Sequence, residues 1–587
     1  MSRGWSLRSD AWRPALLALA TLAVYAPVAG HSFLNTDDPQ YVTGNARVLE
    51  GLSWANTRWA LTTLEFASWS PLTWLSHLLD TSLFGVRAGP RLVENALWHA
   101  LASATLFAAL ARATGRRGRS FVVAGLFALH PLHVESVAWV SSRKDVLSGL
   151  FWMLAMGADV RWVQERRRSS YTALALYTLL GLAAKPVVAT LPLALLLLDL
   201  WPLERLRSTR REERAQAIRR LVVEKLPLFT LAAASLGLAW RAQRRAGAMV
   251  DLELVPPALR LANALRSYVL YLIHAVWPAD LAAFYPYPAD LLSTSGSRIA
   301  TAGCAVALAA ITVGALAARQ RRPWLAIGWL WYLVVLLPMI GLVQLGRQAM
   351  ADRYSYLPLV GIFVAVVWEV AEAAPRLRAP SWLLASGAAL VLAACAASSW
   401  HQIGLWRDSV TLFEHAVAVT GPNAIAHNNL GAGLAAAGRL EAARAEFEAA
   451  VAIDPSYARA RENLALSLQA LGRPDEAASQ FRANLAIDPE RASSHFGLAH
   501  LMLEAGELEA AVEEYERGLA AEPNNEAARS NLGFALVQLG RLDEALTQLR
   551  AAVALAPERA DLRARLAFVL EQLGRDEEAG EEKERAR

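Results

Sequence analysis

From residue 423 onward the chain repeats itself every 34 residues. Gly438, Gly472, Gly506, Gly540 and Gly574 keep that spacing, and so do Leu430, Leu464, Leu498, Leu532 and Leu566. Ala443, Ala477, Ala511, Ala545 and Ala579 share the period, as do Phe447, Phe481 and Tyr515, while Pro455, Pro489, Pro523 and Pro557 close successive units. A unit of this length is a helix–turn–helix that cannot bury its apolar face alone, so neighbouring units must stack into an α-solenoid. The glycine lets the turn close, the small alanine lets the paired helices approach, and the proline ends the second helix. Four full repeats with partial end units are predicted. Glu577–Arg587 forms a charged cap, and Trp406, Phe413 and Pro422 form a degenerate half-repeat in the junction 401–422.

The first 400 residues follow a different logic. The whole chain is 55% hydrophobic and 19% charged, against about 25% charged for ordinary soluble domains, and nearly all the long apolar runs precede residue 401. Charge divides at the same place: 39 Lys/Arg and 23 Asp/Glu before residue 401, 19 and 30 after it. The basic excess sits in short segments between apolar runs, which is a topology signal and excludes a nucleic-acid surface. A membrane span needs about 20 apolar residues. Eleven spans are predicted, at 12–30, 92–111, 120–138, 146–162, 171–184, 186–201, 224–240, 298–318, 323–343, 355–372 and 381–400. Pro186 and Pro192 break the helices around Lys185. Residues 259–279, with Arg266, Ser267 and His274, read as a re-entrant or interfacial helix, and Arg3–Gly30 as an uncleaved first helix. The basic flanks Arg112–Arg119, Arg161–Arg168, Arg205–Arg220, Arg319–Arg322 and Arg376–Arg378 are predicted to be cytoplasmic. That puts 31–91, 131–145, 241–258, 344–354 and the repeats outside; the competing reading, with 259–279 as a twelfth span and the repeats cytoplasmic, would put several basic loops on the wrong side. The fold class is all-α: a polytopic module over 1–400, a junction over 401–422, and repeats over 423–587.

Chemistry-bearing residues concentrate in the predicted outer loops. Asp37 and Asp38 follow the first span; adjacent carboxylates can separate their pKa values so that one serves as a base, while Asp38-Pro39 is equally a helix start. Trp54, Trp59, Trp69 and Trp74 in the same loop read as an interfacial belt. His130, His133 and Glu135 have residue types that bind a divalent metal or position a hydroxyl. Arg143 and Lys144 are cations on the outer side, against the positive-inside trend, and suit an anionic ligand such as a lipid phosphate. Arg353, beside Arg347, Asp352, Tyr354 and Tyr356, can clamp a phosphate or pair with Asp352. Lys185, Glu94, Asn95 and His99 are further buried polar candidates, and Asp199 reads as a helix-end residue. Cys304 and Cys395 lie inside apolar runs, so no disulfide framework or zinc spacing exists. No glycine-rich phosphate loop or GxSxG elbow sits where a strand–turn–helix could hold it.

Together, Phe33–Asp38, His130–Trp139, Arg143-Lys144-Asp145, Lys185-Pro186 and Asp352–Pro358 resemble the transmembrane-and-TPR-containing protein O-mannosyltransferases, in the manner of a bacterial relative, and the 34-residue units are of the tetratricopeptide (TPR) type. The resemblance follows the same order of membrane module and repeats. It implies a GT-C glycosyltransferase that takes a sugar, mannose by the family's name, from a polyprenyl-phosphate carrier on the outer face of a bacterial inner membrane. Asp37 and Asp38 then match the catalytic acidic pair. Arg353, Arg143 and Lys144 match positions suited to the carrier phosphate. His130, His133 and Glu135, with Lys185 and Tyr354, line the site. The repeats present a protein or peptide acceptor on the periplasmic side. No organic cofactor is implied, and a divalent metal stays open. The competing classes are a non-catalytic TPR scaffold for envelope assembly and a lipid-carrier transporter.

Overall fold

The computed structural model describes residues 11–206, 211–247, 255–288, 291–343, 346–376 and 378–586. Arg3, Arg207 and Arg210 of the basic flanks, and residues 248–254 of the predicted outer segment, lie outside the described residues. Two compact units emerge, Met1–Gly421 and Pro422–Arg587.

The first unit is a helical bundle. Its helices are α1 Trp12–Tyr25, α2 Ala46–Leu49, α3 Trp54–Thr62, α4 Pro71–Phe84, α5 Ala88–Thr114, α6 Arg117–Leu129, α7 Val134–Ala138, α8 Arg143–Glu165, α9 Arg168–Ala184, α10 Leu191–Leu200, α11 Arg211–Arg245, α12 Pro257–Val276, α13 Ser295–Ala318, α14 Pro323–Leu336, α15 Leu359–Ala373, α16 Ser381–Leu405 and α17 Ser409–Val419. A two-stranded antiparallel ribbon joins β1 Tyr285–Pro286 to β2 Gln348–Met350.

Among the described residues, six helical segments are long and apolar enough to cross a membrane: Trp12–Gly30, Ala88–Thr114, Val140–Glu165, Ala215–Arg245, Ser295–Ala318 and Ser381–Leu405. A seventh is added if Arg117–Leu129 and Pro131–Ala138, bent by 54°, count as one span. This is a multi-pass membrane protein, with fewer full-length spans than the eleven predicted. The difference has a geometric cause. Helices α9, α10, α14 and α15 hold 17, 10, 14 and 15 residues. At about 1.5 Å per residue most fall well short of a hydrocarbon core roughly 30 Å thick. These shorter helices pack on their neighbours: a Cβ on Gly328 of α14 would lie 2.3 Å from the Gly361 carbonyl oxygen of α15, and one on Gly361 would lie 2.4 Å from that of Gly328. Close approach at small residues is how helices associate without a hydrophobic driving force. Helix α12 is not among the six; Asn263, Ser267 and Tyr271 are buried on it, whereas Leu261, Ile273 and Val276 are exposed.

The basic flanks meet at one end of the bundle. Arg112 pairs with Glu165, Arg119 with Glu372 at 2.7 Å, Arg166 with Glu224 at 3.3 Å, and Arg322 with Glu369. Beneath them Lys225 is fully buried against Asp159, and Arg205 bridges Asp199 at 3.0 Å and Glu224 at 2.7 Å. Asp199 does occupy the last turn of α10, but as a buried member of this network.

The second unit stacks five helix pairs: α18 Ala424–Ala436 with α19 Leu440–Ile453, α20 Ala458–Ala470 with α21 Pro474–Ile487, α22 Ala492–Glu504 with α23 Leu508–Ala521, α24 Glu526–Gln538 with α25 Leu542–Leu555, and α26 Ala560–Gln572 with α27 Asp576–Arg585. Four full repeats were predicted. The last pair completes because Leu566, Leu570 and Ala579 stay apolar and buried at the repeat positions. The five turn glycines take φ between 71° and 79°, a left-handed conformation that other residues adopt at a cost. A second ladder escaped the sequence reading. His427, Arg461, His495, Arg529 and Arg563 stand 34 residues apart and reach Glu446, Gln480, Glu514, Gln548 and Glu582 on the partner helix.

Candidate functional site

The two adjacent aspartates have opposite environments. After α1 the chain turns through Ala26–Gly30 and brings Asp38 inward. Its Oδ2 accepts the Leu34 N–H at 2.8 Å, and its Oδ1 accepts the Ser141 N–H at 3.0 Å and the Ser141 hydroxyl at 2.5 Å. Asp38 is fully buried. Burial pushes its carboxyl up to about 6, against the opposing pull of those three donors. Asp37 stays half-buried, and its charge reaches Lys144. Lys144 donates to the Tyr41 hydroxyl at 3.1 Å and lies 4.9 Å over the Tyr41 ring, which stacks on Trp74 at 4.9 Å. Trp74 is therefore core, not belt.

Arg143 and Lys144 diverge just as sharply. Arg143 starts α8 and is fully buried. Its Nε donates to Asn95 Oδ1; Nη1 donates to Ser76 at 3.2 Å and Glu94 at 2.9 Å; Nη2 donates to Asp80 at 2.9 Å and the Arg91 carbonyl at 2.8 Å. A guanidinium carries five N–H donors, so none is left for a phosphate in this arrangement. Asn95 completes the lock by donating to the Val137 and Trp139 carbonyls at 3.2 and 3.1 Å. Burial pushes the Asp80 carboxyl up to about 7, with Arg143 opposing the shift.

Arg353 behaves differently. It lies in the turn Asp352–Ser355, between β2 and α15. Its backbone N–H and its Nη1 both donate to Glu135, and its guanidinium stands 5.2 Å from the Trp139 ring and 5.0 Å from Tyr354. Among the described residues its other four side-chain donors make no hydrogen bond. Lys185 pairs with Asp145 and lies 5.9 Å over the Tyr354 ring, whose hydroxyl accepts from Gln348 at 2.6 Å. Burial, then the nearby Glu135 charge, push the Asp352 carboxyl well above the usual range, and Tyr285 donates to it at 2.9 Å. Asp352 thus pairs with Tyr285, and Arg353 with Glu135.

The histidines are tied to the backbone. His130 Nε2 faces the Ala275 carbonyl at 3.0 Å and His133 Nδ1 the Phe127 carbonyl at 2.7 Å, so each of those nitrogens carries the proton. His99 Nε2 faces the Ala128 carbonyl at 3.1 Å, leaving Nδ1 to accept from the Tyr356 hydroxyl at 2.7 Å. With Glu135 held by Arg353, His130, His133 and Glu135 do not converge on one point. Among the described residues no group of three His, Cys, Asp or Glu side chains could hold a metal ion.

The structure therefore gathers Glu135, Asp145, Lys185, Arg353 and Tyr354 into one cluster, and sets Asp37, Lys144 and Tyr41 into another. Asp80, Arg91 and Tyr285 went unnoticed in the sequence, and Ser141, though it stands in the His130–Asp145 block, had no role there. Asp80 and Arg91 had one detectable signal, an acid and a base on the apolar helices α4 and α5.

Residues 433–472 match a family described as TPR repeat, and residues 468–532, 502–554 and 536–585 one described as Tetratricopeptide repeat. The chain is 32% identical over 165 residues to Protein O-mannosyl-transferase TMTC1 of Homo sapiens, covering 26% of this chain and 18% of that protein. It is 31% identical over 159 residues to Protein O-mannosyl-transferase TMTC2 of Mus musculus, covering 26% and 19%. The match spans less than a fifth of these relatives' length. Among solved structures, YrrB, a TPR protein with an unusual peptide-binding site, is 25% identical, covers 30% of this chain and 90% of its own, and has a TM-score of 0.27. MamA is 18% identical, covers 27% and 92%, and has a TM-score of 0.26.

Proposed function

We propose that this chain, a homologue of protein O-mannosyl-transferases over the matched stretch, is a GT-C-type membrane glycosyltransferase. It moves a sugar, mannose in the simplest case, from a polyprenyl-phosphate carrier to a protein hydroxyl. The observation that carries the reading is the contrast within the acidic pair. Asp38 is sealed by Leu34 and Ser141, while Asp37, half-buried beside Lys144, keeps a carboxylate available to an incoming hydroxyl. In the step, the acceptor oxygen bonds to the sugar's anomeric carbon as the carbon–oxygen bond to phosphate breaks. The hydroxyl proton passes to Asp37, and the carrier leaves as polyprenyl phosphate. Attack opposite the leaving group inverts the anomeric centre. Arg353, with four uncommitted donors, and Lys144 stabilise the charge that builds on the departing phosphate. Asp38 and Arg143 position the loop and helix that carry these groups.

The outer face is supported by the basic flanks, which gather at the end of the bundle away from this cluster. On the same reading the protein sits in a bacterial inner membrane, and the TPR unit holds an acceptor polypeptide on the periplasmic side. The test uses the purified full chain, mannosyl-phosphoryl polyprenol and an acceptor polypeptide. Asp37→Asn should lower turnover by about 10²–10⁴-fold with unchanged thermal stability. Wild-type turnover in that variant sinks the assignment.

A further inference from the structure

Asp145 lies in the first turn of α8, beside the cluster around Arg353. Its carboxylate is 97% buried; Oδ1 takes the Lys185 ammonium, and Oδ2 has no hydrogen-bond partner among the described residues. Trp139, 93% buried beneath the Arg353 guanidinium, has an indole N–H with no partner either. Lys185, paired with Asp145, lies 5.9 Å over the Tyr354 ring, and the Arg353 guanidinium lies 5.0 Å over that ring and 5.2 Å over Trp139, so these groups share one neighbourhood. An isolated buried acceptor and an isolated buried donor are each costly, and both costs vanish when a ligand supplies the missing partners.

The chemistry of the pair narrows the ligand. A phosphate oxygen would be repelled by the carboxylate. A metal ion would lack a third ligand. A polyol satisfies both atoms, since one hydroxyl donates to Asp145 Oδ2 and a hydroxyl oxygen accepts from the Trp139 N–H. We infer that Asp145 and Trp139 recognise hydroxyls of the transferred sugar, and so set sugar specificity beside the phosphate-facing Arg353. This rests on the carrier-lipid reading above. It divides the labour there: Arg353 holds the part common to all carriers, and Asp145 with Trp139 hold the part that differs.

The experiment measures binding of two probes to the full chain in detergent, mannosyl-phosphoryl polyprenol and unglycosylated polyprenyl phosphate. Wild type should bind the glycosylated carrier more tightly. Asp145→Asn and Trp139→Phe should each reduce that preference, read as the ratio of the two affinities, by roughly 10-fold or more. Asp145→Asn also weakens the Lys185 pair. If it unfolds, Trp139→Phe, which removes the indole N–H and shrinks the ring but keeps an aromatic face under Arg353, decides the matter. The inference is overturned if both variants keep the wild-type preference, if both carriers lose affinity equally, or if wild type never distinguishes them; in the last case the carrier reading survives. Failure of wild type to bind either probe removes the carrier reading and this inference with it.

Discussion

Replacing Arg143 with methionine removes five internal hydrogen bonds at once, two of them to the carboxylates of Asp80 and Glu94. Breaking a buried charge pair by deleting one partner costs about 3–5 kcal/mol. Methionine keeps only the apolar stem and leaves the guanidinium's place unfilled, so a loss of about 4 kcal/mol is expected. For a unit of this size that is a drop in melting temperature of roughly 5 °C. All 20 tryptophans lie before residue 422, so intrinsic fluorescence in detergent reports the first unit alone. The deficit should depend on pH. Asp80's carboxyl is raised to about 7 in the fold, so the fold binds its proton more tightly than the unfolded chain does. That stability is present at low pH and is lost as pH rises through 7. Without Arg143 the folded value climbs further. The gap between variant and wild type should therefore be widest above pH 7 and narrow toward pH 5. Adding Asp80→Asn should recover only part of the loss, because Asp80 still pairs with the buried Arg91 at 3.4 Å. If Arg143→Met melts like wild type while losing affinity for polyprenyl phosphate, Arg143 is a phosphate ligand and the positioning role is wrong.

Three further outcomes follow from packing and charge. Lys225→Met should destabilise the first unit by about 3–5 kcal/mol, by stranding the fully buried Asp159; Asp159→Asn in the same chain should reverse much of it, and a simple sum of the two losses would refute the pairing. Gly361→Val should separate α14 from α15, since its Cβ already meets the Gly328 carbonyl at 2.4 Å; a fluorescence melt equal to wild type would show that the helices yield. Gly497→Leu places a side chain where Phe481 Cζ lies 2.3 Å from the ideal Cβ, so circular dichroism should show earlier loss of helix in the repeats, with tryptophan fluorescence unmoved.

The repeats were legible because a fixed 34-residue period leaves little choice of architecture, and even the uncounted fifth pair was visible in Leu566 and Ala579. The spans were legible only as apolar runs. Composition shows what can enter a membrane, but not how many residues of an apolar run the fold keeps in one straight helix, which is 14 in α14 and 15 in α15. The ladder from His427 to Arg563 was missed because it mixes histidine with arginine and glutamate with glutamine, so identity hides a shared geometry. In the candidate site, residues 130–145 and 352–354 could be singled out by residue type, but which of their side chains the fold seals could not. Asp37 and Asp38, like Arg143 and Lys144, are neighbours in sequence whose side chains leave the backbone in different directions. One of each pair is sealed inside, and no pattern of residue types encodes which.

That division can be argued from hydrogen-bond capacity. A buried arginine is tolerable in a membrane protein when its donors are satisfied. Arg143 satisfies all five within the protein, so adding a phosphate there would require breaking a bond already made. Arg353 satisfies one with its side chain and holds the rest between two aromatic rings, an arrangement whose best partner is an external anion. The same count separates the carboxylates. Asp38 takes three donors from Leu34 and Ser141, and its replacement should disturb the fold before the chemistry. Asp145 takes only Lys185, which leaves one oxygen to read a hydroxyl. The residues with capacity to spare, Asp37, Asp145, Trp139 and Arg353, are the ones whose loss should change binding or turnover; Asp37→Asn should do so with the tryptophan melt where it was, whereas losing Arg353 also strands the buried Glu135.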